Sequence, residues 1–463
     1  MKRVIIAGGG LAGCEAAWQL AERGVPVTLY EMRPLRSTPA HKTDQLAELV
    51  CSNSLKSNSP GSASWLLKEE LRRAGSLLLR VADSCAVPGG AALAVDREMF
   101  AGSVTAAVAT HPLIDLRRDE LRNIPEGDLV LIATGPLTSD SLAAALQRRT
   151  GSEHLAFYDS ISPIVDGETL RMEAIFRASR YGKGGEDYLN CPMSEEEYRA
   201  FYEALRNAET VPAHAFEEAN YFEACLPIEE LARRGYDTLR FGPMRPVGLV
   251  DPRTGRRPFA VVQLRPENLR YSSYNLVGFQ NHLKFSEQRR ILRMIPGLEK
   301  AEFLRFGQIH RNTYINAPAL LSADLSLRAA PGVFIAGQLS GVEGYVECIA
   351  TGLLAGLVIA HRAAGQAFPT PPRTTALGSL VHYITHADPH NYQPTNIAFD
   401  LLPPIEDLPR ALSRDRQARR KRQCDRALAD IESWLKQIRE PQVAGPPAMA
   451  TEDGARTTDA LHG

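Results

Sequence analysis

The chain has 463 residues, of which 44% are hydrophobic and 23% are charged, a composition typical of a soluble enzyme with two or three domains. The 53 Lys and Arg side chains nearly balance the 54 Asp and Glu side chains, which excludes a wholly basic chromatin-type protein but allows a local basic surface. The longest apolar run, residues 353–360, is too short for a membrane helix, and glycines and Glu15 interrupt the apolar N-terminus, so we expect no membrane segment, no export and a cytoplasmic protein.

The first thirty residues predict a nucleotide-binding unit. A short apolar strand (3–7) leads into the sequence Gly8-Gly9-Gly10-Leu11-Ala12-Gly13, a helix (14–23) and a second strand (25–31) that ends at Glu31. In a strand–turn–helix setting, G-x-G-x-x-G lets the backbone approach a pyrophosphate at the helix N-terminus, and an acidic residue after the second strand accepts a hydrogen bond from ribose. This segment therefore predicts a bound dinucleotide.

Two later segments complete the same domain. Residues 128–135 predict a buried strand that ends in Ala-Thr-Gly, and residues 332–338 predict another that runs into Gly337 and Gln338, followed by a helix rich in small residues at 350–357. First and last strands this far apart are typical of large flavoproteins whose dinucleotide domain is interrupted by an insertion. We therefore predict an α/β fold with an interrupted Rossmann-like FAD-binding domain, an inserted α+β domain and a helical C-terminal region.

The predicted domains are a discontinuous FAD-binding domain (1–159 and 313–376), an inserted substrate domain (160–312), a helical region (377–440) and a disordered tail (441–463). The insertion is basic between residues 265 and 311, where nine Lys or Arg face four Glu. Aromatic side chains are interleaved there: Tyr271, Tyr274, Phe279, Phe285, Phe303 and Phe306. This pattern suits a phosphate backbone with unpaired bases, and it equally suits a solvated helix with core aromatics. A second basic run, 414–422, is interpreted as a solvated helix face.

Seven cysteines are scattered without C-x-x-C or Cys/His metal spacing, which indicates reduced thiols and no zinc site. Cys51 lies in a polar segment with Lys56, an unusual setting for a structural cysteine, and Cys225 lies between Glu223 and Glu229. These two are the candidate chemical thiols. The histidines at 382, 386 and 390 have helical spacing, but Pro389 breaks the helix before the third, so we expect no metal there.

The ordered set of motifs resembles the folate- and FAD-dependent tRNA (uracil-5-)-methyltransferases, from residue 1 to about 437. The segments that carry the resemblance are GGGLAGCEAAWQLAERG, ELVCSNSLKSN, RYGKGGEDYLNCP, YFEACLPIEEL, YNLVGFQNHLKF, IHRNTYINAP, GVFIAGQLSGVEGYVECIATG and YQPTNIAFDLLPP. Members of this family are bacterial, cytoplasmic enzymes that make 5-methyluridine at position 54 of the tRNA T loop.

The resemblance implies a chemistry and a set of roles. FAD is held by residues 8–13, Glu31, Gly337 and Gln338; NAD(P)H reduces it; and methylenetetrahydrofolate donates the carbon through the flavin. The Cys225 thiolate adds to uracil C6 and so makes C5 nucleophilic. Cys51 is implied to lie near the flavin and to help remove the C5 proton.

Three alternatives stay open at this point. The nearest is a related flavoprotein that modifies wobble uridines with a partner GTPase, although its members carry a longer C-terminal helical domain. The others are a flavin-dependent thiol oxidoreductase, for which the sequence lacks a closely spaced cysteine pair, and a non-catalytic tRNA-binding flavoprotein.

Overall fold

The computed structural model describes residues 3–38, 40–151, 162–182, 185–211, 226–268, 270–307, 313–390, 392–406 and 415–439, with the backbone alone for 155–160 and 309–312. Within them the strands are β1 (Val4–Ala7), β2 (Val27–Tyr30), β3 (Ser54–Ser57), β4 (Ala86–Val87), β5 (Ala92–Val95), β6 (Ile114–Arg117), β7 (Val130–Ile132), β8 (Leu155–Ser160), β9 (Ile164–Asp166), β10 (Phe176–Arg177), β11 (Leu189–Met193), β12 (Ala260–Pro266), β13 (Ser273–Leu276), β14 (Phe303–Arg305), β15 (Ile309–Tyr314), β16 (Ser326–Leu327) and β17 (Ala330–Ile335). The α-helices are α1 (Leu11–Ala21), α2 (Ala63–Arg73), α3 (Leu77–Ser84), α4 (Arg97–Thr110), α5 (Asp140–Thr150), α6 (Glu195–Arg206), α7 (Ile228–Arg234), α8 (Thr238–Phe241), α9 (Phe285–Leu292), α10 (Ala317–Leu320), α11 (Tyr345–Ala363), α12 (Ala376–His386) and α13 (Arg416–Arg439).

A six-stranded sheet organises the dinucleotide-binding part of the molecule. Its order is β16-β17-β7-β1-β2-β6, and every pair is parallel except β16 with β17. With β1 between β2 and β7, the strands follow the order of a doubly wound nucleotide-binding fold. Because β17 comes about two hundred residues after β7 in the sequence, this sheet is interrupted by an insertion, and the predicted fold class is confirmed.

Small residues bring α11 directly against α1. A Cβ on Gly352 would lie 2.3 Å from the Ala12 carbonyl oxygen, and a Cβ on Gly356 would lie 3.0 Å from the Ala16 carbonyl oxygen. The small residues predicted in this helix are therefore the contact that lets two helix backbones approach. Helix α11 is apolar and 19 residues long, as a membrane span would be, but 78% of that stretch is buried inside the protein. It is a core helix.

The inserted segment forms a second, antiparallel sheet. Its order is β10-β11-β12-β13-β9-β14, and α6, α7 and α9 pack on it around a separate hydrophobic core. The chain enters and leaves through β8 and β15, which pair antiparallel with each other. The domain boundaries at residues 159, 312 and 376 stay predictions. The division of the strands between two sheets supports them.

The basic and aromatic stretch contributes more to packing than to a surface. Tyr274 and Phe279 lie in the core of the insertion, and Arg265 is 7% exposed. Phe306 stacks on both Phe285 and Phe303. For these residues the structure supports the interpretation as core aromatics.

Helices α12 and α13 close the described part of the chain. The Glu70 carboxylate, 1% exposed, accepts from the backbone N–H groups of Ala376 and Leu377 at the start of α12. Trp434 of α13 donates to the Pro369 carbonyl oxygen. The basic run at the start of α13 is mostly exposed, and the predicted disordered tail lies outside the described residues.

Candidate functional site

The turn between β1 and α1 has the geometry of a phosphate cradle. Gly8 adopts a φ of +104°, which favours glycine, and a Cβ on Gly13 would lie 1.8 Å from the Gly8 carbonyl oxygen. A Cβ on Gly10 would meet no atom within 4 Å, so the backbone there faces open space. The N-terminus of α1 points its free N–H groups and positive dipole at the same place. These features fit the pyrophosphate of a dinucleotide.

Glu31 lies at the end of β2, beside this turn. Its Oε2 accepts from the Gly9 N–H at 3.0 Å, and its Oε1 accepts from the backbone N–H and the Nε of Arg33. Burial raises the pKa of Glu31, but the hydrogen bonds and charge of Arg33 outweigh burial and hold that pKa below its usual value. The carboxylate is therefore ionised and held beside the turn between β1 and α1.

Gly337 and Gln338 form the opposite wall, at the end of β17. Gly337, with a φ of +73°, donates its N–H to the Thr351 hydroxyl at 2.9 Å, and Gln338 donates to Glu343. A Cβ on Gly337 would lie 3.0 Å from the Ala12 Cβ. The two glycine turns predicted from distant parts of the sequence therefore face each other.

Both turns open into one cleft of about 470 Å³, a size typical of ligand and cofactor sites. Gly8, Gly10, Leu11, Ala12, Glu31, Gly337 and Gln338 line it, as does the candidate thiol Cys51. Residues of the insertion, among them Arg265 and Asn275, line it as well. The cleft thus places the predicted dinucleotide cradle, a thiol and the second sheet around a single volume.

Backbone contacts fix the segment that carries Cys51. Tyr345, the first residue of α11, accepts from the Cys51 N–H at 2.7 Å and from the Ser52 N–H at 3.1 Å. Arg97 donates to the Cys51 carbonyl oxygen at 3.3 Å and is held by an ion pair with Glu267. Sequence reasoning missed these partners, because nothing in their local patterns relates them to Cys51.

Two arginines lie near the Cys51 thiol, and Glu267 lies near both of them. The guanidinium groups of Arg97 and Arg305 are near enough to the thiol to interact with it electrostatically. Burial and the charge of Arg97 lower the pKa of Arg305. Because nearby positive charge stabilises a thiolate, this position suits a cysteine that exchanges a proton.

Lys56 and Lys68 form a second polar group behind this segment. The Lys56 ammonium donates to Glu347, which is fully buried, at 2.8 Å, and also to Asn396. The Lys68 ammonium, fully buried, donates to the carbonyl oxygens of Leu55 and Ser57. These bonds hold the residues on both sides of Lys56, whose φ is +62°. The polar character of the segment was the only sequence signal for this network.

The other described cysteines differ from Cys51. Cys14, Cys85, Cys191 and Cys424 are buried, and burial raises the pKa of Cys424 to about 11. Cys348 lines the cleft, but burial and the charges of Glu343 and Glu347 raise its pKa well above the usual value. Cys225, the other candidate thiol, lies outside the described residues.

His382 and His386 lie side by side on α12. His382 and His386 stack with ring centroids 4.4 Å apart, and the backbone N–H of His390 donates to Asp388. Across the described part of the chain, no group of three His, Cys, Asp or Glu side chains is arranged to hold a metal ion.

Comparison with known proteins places the chain in a family. The family model described as "Glucose inhibited division protein A" matches residues 3–367. The methylenetetrahydrofolate--tRNA-(uracil-5-)-methyltransferase TrmFO of Solibacter usitatus (strain Ellin6076) is 62% identical, with 94% of this chain and 98% of that protein aligned. The enzyme of the same name from Koribacter versatilis (strain Ellin345) is 58% identical, with 94% and 98% aligned.

Solved structures agree on the fold. Two crystal forms of Aquifex aeolicus GidA superpose with TM-scores of 0.66 and 0.65 at 17% and 15% identity. The superpositions cover 94% of this chain and 77% and 75% of those chains. The chain therefore belongs to the glucose inhibited division protein A family and, at the level of its near relatives, to the methylenetetrahydrofolate--tRNA-(uracil-5-)-methyltransferases.

Proposed function

We propose that this protein transfers a one-carbon unit from methylenetetrahydrofolate to carbon 5 of a uracil in tRNA and reduces it to a methyl group. The observation that carries the proposal is the cleft in which a dinucleotide cradle and the Cys51 thiol share one volume. Relatives up to 62% identical over nearly the whole chain bear the name of this activity. We further propose the T loop, at position 54, as the site of the uracil, and the cytoplasm as the location of the enzyme.

FAD is the cofactor that we assign to the cradle, with Gly8, Gly10 and Gly13 at its pyrophosphate, Glu31 at its ribose, and the Gly337–Gln338 turn opposite. When bound, it supplies the redox chemistry that the reduction of the carbon unit requires, with NAD(P)H as the source of electrons. The chain itself supplies orientation: α1 directs its N-terminus at the phosphates, and Tyr345 and Arg97 hold the Cys51 segment in place.

Cys225 is the residue that we assign as nucleophile. Its thiolate forms a bond to uracil C6, the electrons of the C5–C6 double bond move onto C5, and C5 forms a bond to the electrophilic carbon of the one-carbon unit, whose C=N electrons move onto the nitrogen that carries it. That carbon–nitrogen bond breaks later, when the electrons that NAD(P)H supplies complete the methyl group. Cys225 lies outside the described residues, and its assignment rests on the segment YFEACLPIEEL in the sequence.

Cys51 is the residue that we assign as the base for the C5 proton. As a thiolate it accepts that proton, the C5–H electrons restore the C5–C6 double bond, and the Cys225 sulfur leaves C6. Arg97 and Arg305 both interact electrostatically with this thiol.

The test uses an unmodified tRNA transcript, NAD(P)H and methylenetetrahydrofolate labelled in its one-carbon unit, without S-adenosylmethionine. We expect label in RNA as 5-methyluridine in the T loop with the wild-type protein, and its loss with Cys225→Ala and with Cys51→Ala. Cys424→Ala is the control, since Cys424 is buried in α13 and does not line the cleft, and it should retain activity. A wild-type protein that binds FAD and tRNA but transfers no label would refute the proposal.

A further inference from the structure

One half of the cleft belongs to the insertion and has no part in the dinucleotide cradle. Ser162, Arg265, Asn275, Val277, Gly278 and Gln280 line this half. Strands β12 and β13 supply Arg265 and Asn275, which are directly paired across the antiparallel ladder. Residues paired in this way present their side chains on the same face of a sheet, so the guanidinium and the carboxamide lie side by side.

The carboxamide Nδ2 of Asn275 has no hydrogen-bond partner among the residues that the structure describes. The residue is 2% exposed, and this Nδ2 is buried. Native structures leave few buried polar groups unsatisfied, and one that lines a ligand cleft is explained by an acceptor on the ligand. A planar carboxamide offers a donor and an acceptor next to each other, which matches the adjacent C=O and N–H of a heterocyclic lactam.

A buried hydrogen-bond relay connects this face to the Cys51 segment. Arg265 donates from Nε to Asn53 Oδ1 at 2.8 Å. Asn53, fully buried and two residues after Cys51, donates in turn to the carbonyl oxygens of Val95 and Pro266. The Arg265 guanidinium and the Asn53 carboxamide are therefore held in place beside the segment that carries Cys51.

We propose that Asn275, with Arg265 beside it, binds the lactam edge of a substrate heterocycle in this half of the cleft. The inference rests on the proposed function, because both of its substrates carry such an edge, the pterin of the folate and the uracil of the tRNA. Asn275 is thus a substrate-binding residue that selects a ring with a carbonyl acceptor next to an N–H donor.

The experiment compares the FAD-loaded wild type with Asn275→Asp, which replaces the donor by an acceptor, and with Asn275→Leu, which removes both groups at similar volume. Asn207→Asp makes the same isosteric change at an exposed residue of the insertion and serves as the control. FAD content and Tm are measured first. The dissociation constant of labelled tetrahydrofolate is then measured by equilibrium dialysis and that of a tRNA transcript by filter binding.

We expect normal FAD content and Tm, and a rise of about tenfold or more in one dissociation constant, since a buried donor is lost. A rise for tetrahydrofolate alone identifies the pterin as the ligand, and a rise for tRNA alone identifies the uracil. The proposal is overturned if both dissociation constants stay within twofold of the wild type. It is also overturned if the FAD content falls, which would assign the Asn275 amide to the flavin, or if both constants rise together with a lower Tm. Neither binding measurement needs turnover, so a wild type that transfers no label would refute the proposed activity without deciding the role of Asn275.

Discussion

The glycine cradle makes opposite predictions for two positions three residues apart. In Gly13→Ala the new Cβ would lie 1.8 Å from the Gly8 carbonyl oxygen, so α1 must move away from β1 by more than an ångström. It has no room to do so, because α11 packs against its other side through Gly352. Overpacking of this kind costs about 1–3 kcal/mol, and we expect the Tm to fall by roughly 3–10 °C together with FAD affinity.

Gly10→Ala should leave the folded protein without FAD as stable as the wild type. Its Cβ meets no atom within 4 Å, and its φ of −79° suits any residue. The methyl group does, however, occupy the space through which a pyrophosphate approaches the backbone, so FAD affinity should fall at least about tenfold. Gly102→Ala, in the middle of α4 and also without a close neighbour, is the control and should gain up to about 1 kcal/mol with normal FAD binding.

The assay is a thermal melt of each variant freed of FAD, followed by a fluorescence titration with FAD. A Gly13→Ala protein with a wild-type Tm would refute the packing argument. A Gly10→Ala protein that binds FAD normally would show that the phosphates lie elsewhere. If Gly10→Ala and Gly13→Ala lose the same stability, the methyl group added at Gly10 must contact other atoms, contrary to the argument.

Burial lowers the pKa of Lys68 to about 7, whereas in the unfolded chain this side chain keeps its proton up to about pH 10. Between these two pH values the unfolded state binds one more proton than the folded state. The free energy of unfolding should therefore rise with pH there, by up to about 1.4 kcal/mol per pH unit. In Tm measurements from pH 7 to 9, Lys68→Met should lose that rise, whereas Lys436→Met, a change at an exposed lysine, should keep it. A Lys68→Met protein whose Tm still rises with pH as in the wild type would contradict the lowered pKa of Lys68. Lys56→Met, which strands the buried Glu347 carboxylate, should cost about 2–4 kcal/mol in urea unfolding, and adding Glu347→Gln should cost less than the sum of the single changes. Strict additivity would show that the pair is not coupled. Iodoacetamide should modify Cys51 before the buried cysteines, and FAD should slow this reaction; peptide mapping that finds a buried thiol first would refute the assignment.

The sequence predicted the dinucleotide unit because its signals are local. The turn, the first helix and Glu31 lie within thirty residues, and each glycine has a separate steric reason that a spacing rule captures. The predicted helix nevertheless began at residue 14, whereas α1 begins at Leu11. Glycine disfavours a helix interior, and Gly13 lies inside one because a Cβ there would collide with the Gly8 carbonyl oxygen.

The insertion was harder to interpret because its composition is ambiguous. Clustered arginines and aromatics describe an RNA-binding surface and a core equally well, and the sheet decides between them residue by residue. Tyr274 faces the core, whereas its neighbour Asn275 faces the cleft, as alternation along a strand requires. No pattern in the sequence fixes that register, since it depends on pairing with β12 and β9.

The cleft also shows why the chemistry of a thiol cannot be predicted from its motif alone. Cys51 and Cys348 line the same cavity and are both partly exposed, yet the charges of Glu343 and Glu347 act on Cys348, whereas Cys51 lies near two guanidinium groups. Those groups come from α4 and β14, which are distant from Cys51 in the sequence and reach it only through the packing of both sheets. The antiparallel insertion therefore supplies Arg305, which interacts electrostatically with Cys51, and Asn275, which lines the same cleft.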